Sequence, residues 1–196
     1  MRLTPPPRIV VVSREDREAK LKAFIAQALS SRREHPLDTF GETFTLIARA
    51  PDSPVAQALL AMTQDIAAAK IAIRVVLFET EPLSEETVQA SLLDVSAVDV
   101  RMLTDQRFAS AHEQLSLGRG QVWTGDCMRR DPAKRDAFEM YHNADALTAE
   151  HATTSFAKLW DKSVPLSRVI ATPVATNAML ASQPAADGNN DQVPRN

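Results

Sequence analysis

Ile71 to Phe78 reads Ile-Ala-Ile-Arg-Val-Val-Leu-Phe, a nearly continuous apolar run broken only by Arg74. It is far shorter than the ~20 apolar residues of a membrane span. It suits a strand covered on both faces, as in a parallel or mixed sheet. Helical patterns flank comparable strands on either side. Thr43 to Ala50 reads as a strand, and Pro51-Asp52-Ser53-Pro54 follows, with Ser53 as N-cap and Pro54 at the first helical position. Val55, Leu59, Met62, Ile66 and Ala69 then form one apolar stripe, predicting a helix to about Ala69. Leu83-Ser84 opens a shorter helix through Val88 and Leu92, and Val98 to Leu103 alternates as a strand. Strand, helix, strand, helix, strand predicts an α/β fold.

The flanks extend this pattern. Met1 to Arg8, with Pro5-Pro6-Pro7, is expected to lack regular structure. Ser13 reads as an N-cap before a helix of about Glu15 to Arg33, whose apolar positions are Leu21, Phe24, Ile25, Ala28 and Leu29. Glu113 to Cys127 reads as a hairpin turning at Gly118-Arg119-Gly120. Arg129 to Arg135 is expected to be a loop, Phe138 to Tyr141 a strand, and Ala146 to Lys162 a helix with Ala152, Phe156, Leu159 and Trp160 on one face, limited by Pro165. Gln183 to Asn196 has the composition of a disordered tail. The expected organisation is a tail and helix over 1–38, an α/β domain over 39–166 and a C-terminal extension over 167–196.

Composition narrows the function classes. The 196 residues carry a formal net charge of −3, with 44% apolar and 24% charged residues. That is ordinary for a soluble globular protein and supplies no global basic field for nucleic acid or an anionic membrane. A single cysteine, Cys127, excludes an intramolecular disulfide, in keeping with a reducing compartment. With no secretory signal in the sequence, the expectation is a cytoplasmic protein of bacterial type.

His112 to Met128 carries the chemistry: His112-Glu113-Gln114, then Gly118-Arg119-Gly120, then Gly125-Asp126-Cys127-Met128. The stretch resembles the catalytic hairpin of the phospholipase D superfamily, which reads His-x-Lys, four residues, Asp-Gly, five residues, Gly-Ser-x-Asn. His112, Gly120 and Gly125 fall on its landmarks. The Lys position holds Gln114, the Asp position Arg119, the Ser position Asp126 and the Asn position Met128. The order of elements resembles one half of such an enzyme over about Thr43 to Pro165. Ala69-Lys70-Ile71, Val98-Asp99-Val100-Arg101 and Phe156-Ala157-Lys158-Leu159-Trp160 fall at the corresponding places.

The resemblance implies a mixed β-sheet flanked by helices on both faces, present as a single half-unit. It also implies a homodimer that sets two motifs across a twofold axis. In intact members one His attacks phosphorus, the other protonates the leaving group, and the Lys, Ser and Asn residues hold phosphate oxygens. Gln114 lacks the cation, Asp126 is a like charge toward phosphate, and Met128 cannot donate a hydrogen bond. Loss of one such donor typically costs ~100- to 1,000-fold in rate. The pocket-lining set is therefore Gln114, Arg119, Gly125, Asp126 and Met128, with His112 as the residual catalytic candidate. The expected role is a catalytically degenerate binding or scaffold domain, with no cofactor and at most a small anionic ligand. A phosphodiesterase or phosphotransferase centred on His112 is the first alternative, and a nucleic-acid-binding module that reuses the cleft is a second, against which the net charge of −3 argues.

Other candidates have plainer readings. Alternation points Cys127 away from the pocket into the core, as an inert thiol. His142, His151, Asp145 and Glu150 match no zinc-ligand spacing, so no metal is expected. Arg129, Arg130, Lys134 and Arg135 are interleaved with Asp131 and Asp136 and read as a solvated loop. Trp123, Phe156 and Trp160 read as core aromatics.

Overall fold

The computed structural model describes residues 8–34, 42–78, 92–118, 120–129 and 136–166. Its framework is an eight-stranded mixed sheet in the order β1-β7-β6-β5-β2-β3-β4-β8. The strands are β1 (Arg8–Ser13), β2 (Thr43–Ala48), β3 (Ala72–Leu77), β4 (Val98–Met102), β5 (His112–Ser116), β6 (Val122–Cys127), β7 (Asp136–His142) and β8 (Val164–Pro165). The helices are α1 (Arg14–Glu34), α2 (Pro54–Ala61), α3 (Thr63–Ala68) and α4 (Ala146–Lys162), with 3-10 turns at Leu92–Asp94 and Gln106–Ser110. β2, β3 and β4 are parallel, and every other pairing is antiparallel.

Two apolar clusters lie on opposite faces of this sheet. The larger joins Leu21, Phe24, Ile25, Ala28 and Leu29 of α1 and Val55, Ala56, Ala58 and Leu59 of α2 to Phe44, Leu46, Val75, Leu115 and Trp123. The smaller gathers Ile47, Val76, Leu103 and Met128 under Phe156 and Leu159 of α4. β3 alternates between the two clusters, which is why its sequence is apolar on both faces. Burying a side chain such as Phe156 or Leu159 contributes roughly 1.5–3 kcal/mol.

Caps set the helix bounds. Ser53 Oγ accepts the Ala56 N–H, with Pro54 in the first turn of α2. Asp145 accepts the Thr148 N–H at 3.1 Å and its hydroxyl at 2.7 Å, opening α4. Those two bonds hold the Asp145 carboxyl below its usual range.

Several expectations change. The stripe from Val55 to Ala69 is not one helix, because it breaks at Met62 (φ −104°, ψ 3°) into α2 and α3. Arg8 and Ser13, expected as the end of an unstructured tail and as a helix N-cap, instead bound an edge strand, Arg8–Ser13, paired with β7. Pro165 not only follows α4 but sits in the short edge strand β8, opposite Arg101, a place where a missing N–H is tolerated. The helix expected from Leu83, most of the Arg129–Arg135 loop and the tail beyond Leu166 lie outside the described residues. Among the described residues no helix is long and apolar enough to cross a membrane.

Candidate functional site

The hairpin β5–β6 lies beside β2, and Gln114 pairs with Ile47 near the end of that strand. His112 therefore sits at the carboxyl edge of the parallel strands, the edge at which open α/β sheets bind ligands. Gly118 (φ +76°) and Gly120 (φ +83°) bracket the opposite, turn end, where a left-handed backbone favours glycine. Arg119 between them lies outside the described residues.

His112 is exposed, and its Nδ1 lies 2.8 Å from the Gly125 carbonyl oxygen. A carbonyl only accepts, so this contact places the proton on Nδ1 and leaves Nε2 as the open nitrogen. Gln114, two residues on and on the same strand face, donates from Nε2 to the Ala152 carbonyl of α4 at 3.1 Å. Met128 is 2% exposed and packs in the α4-side cluster, and its N–H donates to the Ala111 carbonyl.

The register across the hairpin departs from simple alternation. Gln114 pairs with Thr124, and continuing that register would set Asp126 opposite His112. A bulge intervenes and sets Cys127 there instead. One extra residue in β6 shifts every later partner by one. The half-buried Cys127 donates its thiol at 3.4 Å to the carbonyl of Ala109, a residue of the α4-side core. The charge of Asp126 acts on Glu113, the neighbour of His112 that faces the other side of the sheet.

That other side holds a charged network that the motif spacing does not reveal. Glu113 is buried, and its Oε1 accepts the Arg49 N–H at 3.1 Å. Burial pushes the Glu113 carboxyl up, the Arg49 N–H and the charges of Arg17 and Arg49 pull it back, and Asp126 pushes it further up. Glu139 on β7 is 1% exposed and lies 2.7 Å from Arg17 Nε of α1. This is an ion pair in which the N–H is not aligned on the oxygen. Tyr141 donates its hydroxyl to Glu139 Oε2 at 3.0 Å. Burial raises the Glu139 carboxyl, against the Tyr141 bond and Arg17. Burial and the Glu139 charge push the Tyr141 phenol beyond its usual range. The one sequence signal for this network is a carboxylate, Glu113, alternating with Leu115 and Leu117 on an apolar strand face.

The remaining candidates fall elsewhere. His142 Nδ1 is 3.5 Å from Asp145 at the start of α4, remote in register from His112. His151 and Glu150 are exposed on α4. Trp123 is fully buried, and Phe156 stacks on Trp160 at 5.4 Å between ring centroids.

No family model and no curated protein matches the sequence. Among solved structures, the chain is similar to Nuc, a phospholipase D family member from Salmonella typhimurium. The TM-score is 0.53 at 13% identity, covering 82% of this chain and 98% of that one. TrmBL2, an archaeal chromatin protein whose structure shows a novel mode of DNA binding, aligns with a TM-score of 0.48 at 14% identity. That match covers 80% of this chain and 53% of TrmBL2. The sheet order, the helices on both faces and the near-complete coverage of Nuc agree: this chain has the phospholipase D-like α/β fold.

Proposed function

We propose that the protein is a catalytically degenerate phospholipase D-like domain that serves as a binding or scaffold protein, homodimeric through the face carrying His112. The observation that carries this reading is the use of Gln114. Its amide N–H is bound to the Ala152 carbonyl, so the position that resembles the family lysine joins strand to helix and supplies no cation. Met128, at the position resembling the family asparagine, is buried in the core and has no donor for a phosphate oxygen. With only His112 left of the polar set, phosphoryl transfer lacks the charge stabilisation on which it depends. A single half-unit needs a second copy to close a family-like cleft, which is the reason for the dimer. A small anion is the ligand class such a cleft inherits; the net charge of −3 disfavours nucleic acid. The lone cysteine supports a reducing, cytoplasmic setting.

One observation favours a second reading, a phosphodiesterase or phosphotransferase centred on His112: the Gly125 carbonyl fixes the ring and leaves Nε2 open. Hydrolysis of a generic phosphodiester and of single-stranded DNA separates the two. The expected result is no turnover that His112→Ala abolishes. Robust His112-dependent turnover would establish the enzyme instead. Sedimentation at micromolar concentration tests the dimer, and a monomer there counts against it.

A further inference from the structure

We propose that the cleft at the turn end of the hairpin is a binding site for a small neutral molecule with adjacent hydrogen-bond donors and acceptors, of the amide, lactam or imide class. The cleft has a volume of about 260 Å³ and is lined by Gln27, Ser31 and Arg32 of α1, Gln121 just after the hairpin turn, and Asn143 and Ala144 ahead of α4. His112 lies at the other end of β5, so this is a separate place in the molecule.

Its walls are fixed by the fold. The Asp145 N–H donates to the Gly120 carbonyl at 3.1 Å, tying the β7–α4 connection to the hairpin turn. Ala144 is held at φ +57° in that connection, a left-handed conformation uncommon for a residue with a Cβ. Backbone held in such regions clusters at ligand-binding and active sites. On the α1 side, Arg32 is 4% exposed and its guanidinium is held at several points. It pairs with both oxygens of Glu42 and donates to the carbonyls of Ala28 and Leu117.

That pairing decides the ligand class. Glu42 cancels the charge of Arg32, so an anion entering the cleft gains no free cation and meets a carboxylate nearby. A cation meets the guanidinium. The remaining polar lining is three carboxamides, Gln27, Gln121 and Asn143, and the Ser31 hydroxyl, which donates to the Gln27 carbonyl at 3.1 Å. Each carboxamide offers two donors and an acceptor without net charge. Among the described residues none of the three side chains is hydrogen-bonded to another. The complement is a neutral group that presents donor and acceptor side by side. At about 260 Å³ and open to solvent on one side, the cleft admits a small ligand. Uracil meets both requirements and serves as the probe.

The experiment is an NMR titration of the full chain that follows the Gln and Asn side-chain NH₂ signals. With uracil, the Gln27, Gln121 and Asn143 signals are expected to shift saturably, with a Kd on the order of 1 mM for so small a ligand. The Gln27→Ala/Gln121→Ala double variant, whose Tm should match the wild type, is expected to bind about tenfold more weakly, having lost two hydrogen-bonding groups. Inorganic phosphate should leave these signals in place. No saturable shift with uracil, unchanged affinity in the double variant, or phosphate binding in the cleft would each overturn the proposal. His112→Ala should bind uracil as the wild type does, so this site stands or falls apart from the reading of His112.

Discussion

The two faces of the hairpin β5–β6 differ in how they use polarity. On the α4 face stand the exposed His112, Gln114 bound to a helix carbonyl, and the buried Met128. On the α1 face, Glu113 and Glu139 are buried against Arg17, Arg49 and Tyr141. The face that resembles a phosphate site holds little charge; the face that packs against α1 holds most of it. Gly125 belongs to both, because its carbonyl holds His112 while a Cβ placed on it would meet the Trp123 ring at 2.4 Å. Charge at this hairpin therefore acts first on folding and on the docking of α1, and only indirectly on chemistry at His112.

The sharpest way to break this contrast is Arg17→Ala. It leaves Glu139 buried without its cation, and unpairing a buried ion pair typically costs about 3–5 kcal/mol. The expected outcome at pH 7 is a loss of that size in urea unfolding. Glu139 already has a raised folded-state pKa, and without Arg17 it rises further. Its ionised form then disfavours the folded state above that pKa, and the penalty fades as pH falls through it toward the unfolded value. The deficit relative to wild type should therefore shrink on acidification, and a constant deficit would mean that the pair is not what Arg17 contributes.

Gly125→Ala tests whether the two faces are coupled through the backbone. The new methyl cannot share space with the Trp123 ring, and overpacking of this kind costs about 1–3 kcal/mol. The strand must move, and the carbonyl that orients His112 moves with it. Nitrogen-15 shifts of the His112 ring should report a changed tautomer balance, and an unaltered ring would show the faces to be independent.

Glu113→Gln keeps an acceptor for the Arg49 N–H and removes a buried charge. A carboxyl whose pKa is raised in the folded state contributes instability above that pKa, relieved as pH falls toward the unfolded value. The variant should be more stable than wild type at pH 7, by roughly 1 kcal/mol or about 2–4 °C in Tm. The difference should close in acid. A lower Tm at pH 7 would assign Glu113 a net favourable ion pair with Arg17 or Arg49.

The smallest expected effect is on the α4 face. Gln114→Lys puts a cation beside His112, and phosphate binding measured by calorimetry should strengthen about fivefold, the scale of a partly solvated charge contact near 1 kcal/mol. Added salt should erode the gain. Asp126→Ser should contribute less than Gln114→Lys, because the charge of Asp126 acts on Glu113 across the bulge. A larger effect from Asp126 would return it to the His112 pocket.

What the sequence determined by itself was local. Periodicity placed α4 at about Ala146–Lys162, and capping chemistry set Ser53 and Pro54 at the start of α2. The two-sided apolar run placed β3 within Ile71–Phe78, and the glycines bracketing Arg119 placed the hairpin turn. These signals lie within a few residues of the element they specify, and backbone sterics and burial act at that range. The tertiary structure alone decided which residue faces His112, since one extra residue in β6 moves Cys127 into the place that alternation gives Asp126. It also decided that Arg8–Ser13 and Val164–Pro165 are edge strands, because only partners distant in sequence, β7 and β4, supply their hydrogen bonds. Arg17 and Glu139 form an ion pair for the same reason. They are 122 positions apart in the chain (139 − 17), and their attraction exists only once the sheet has closed and excluded the water between them.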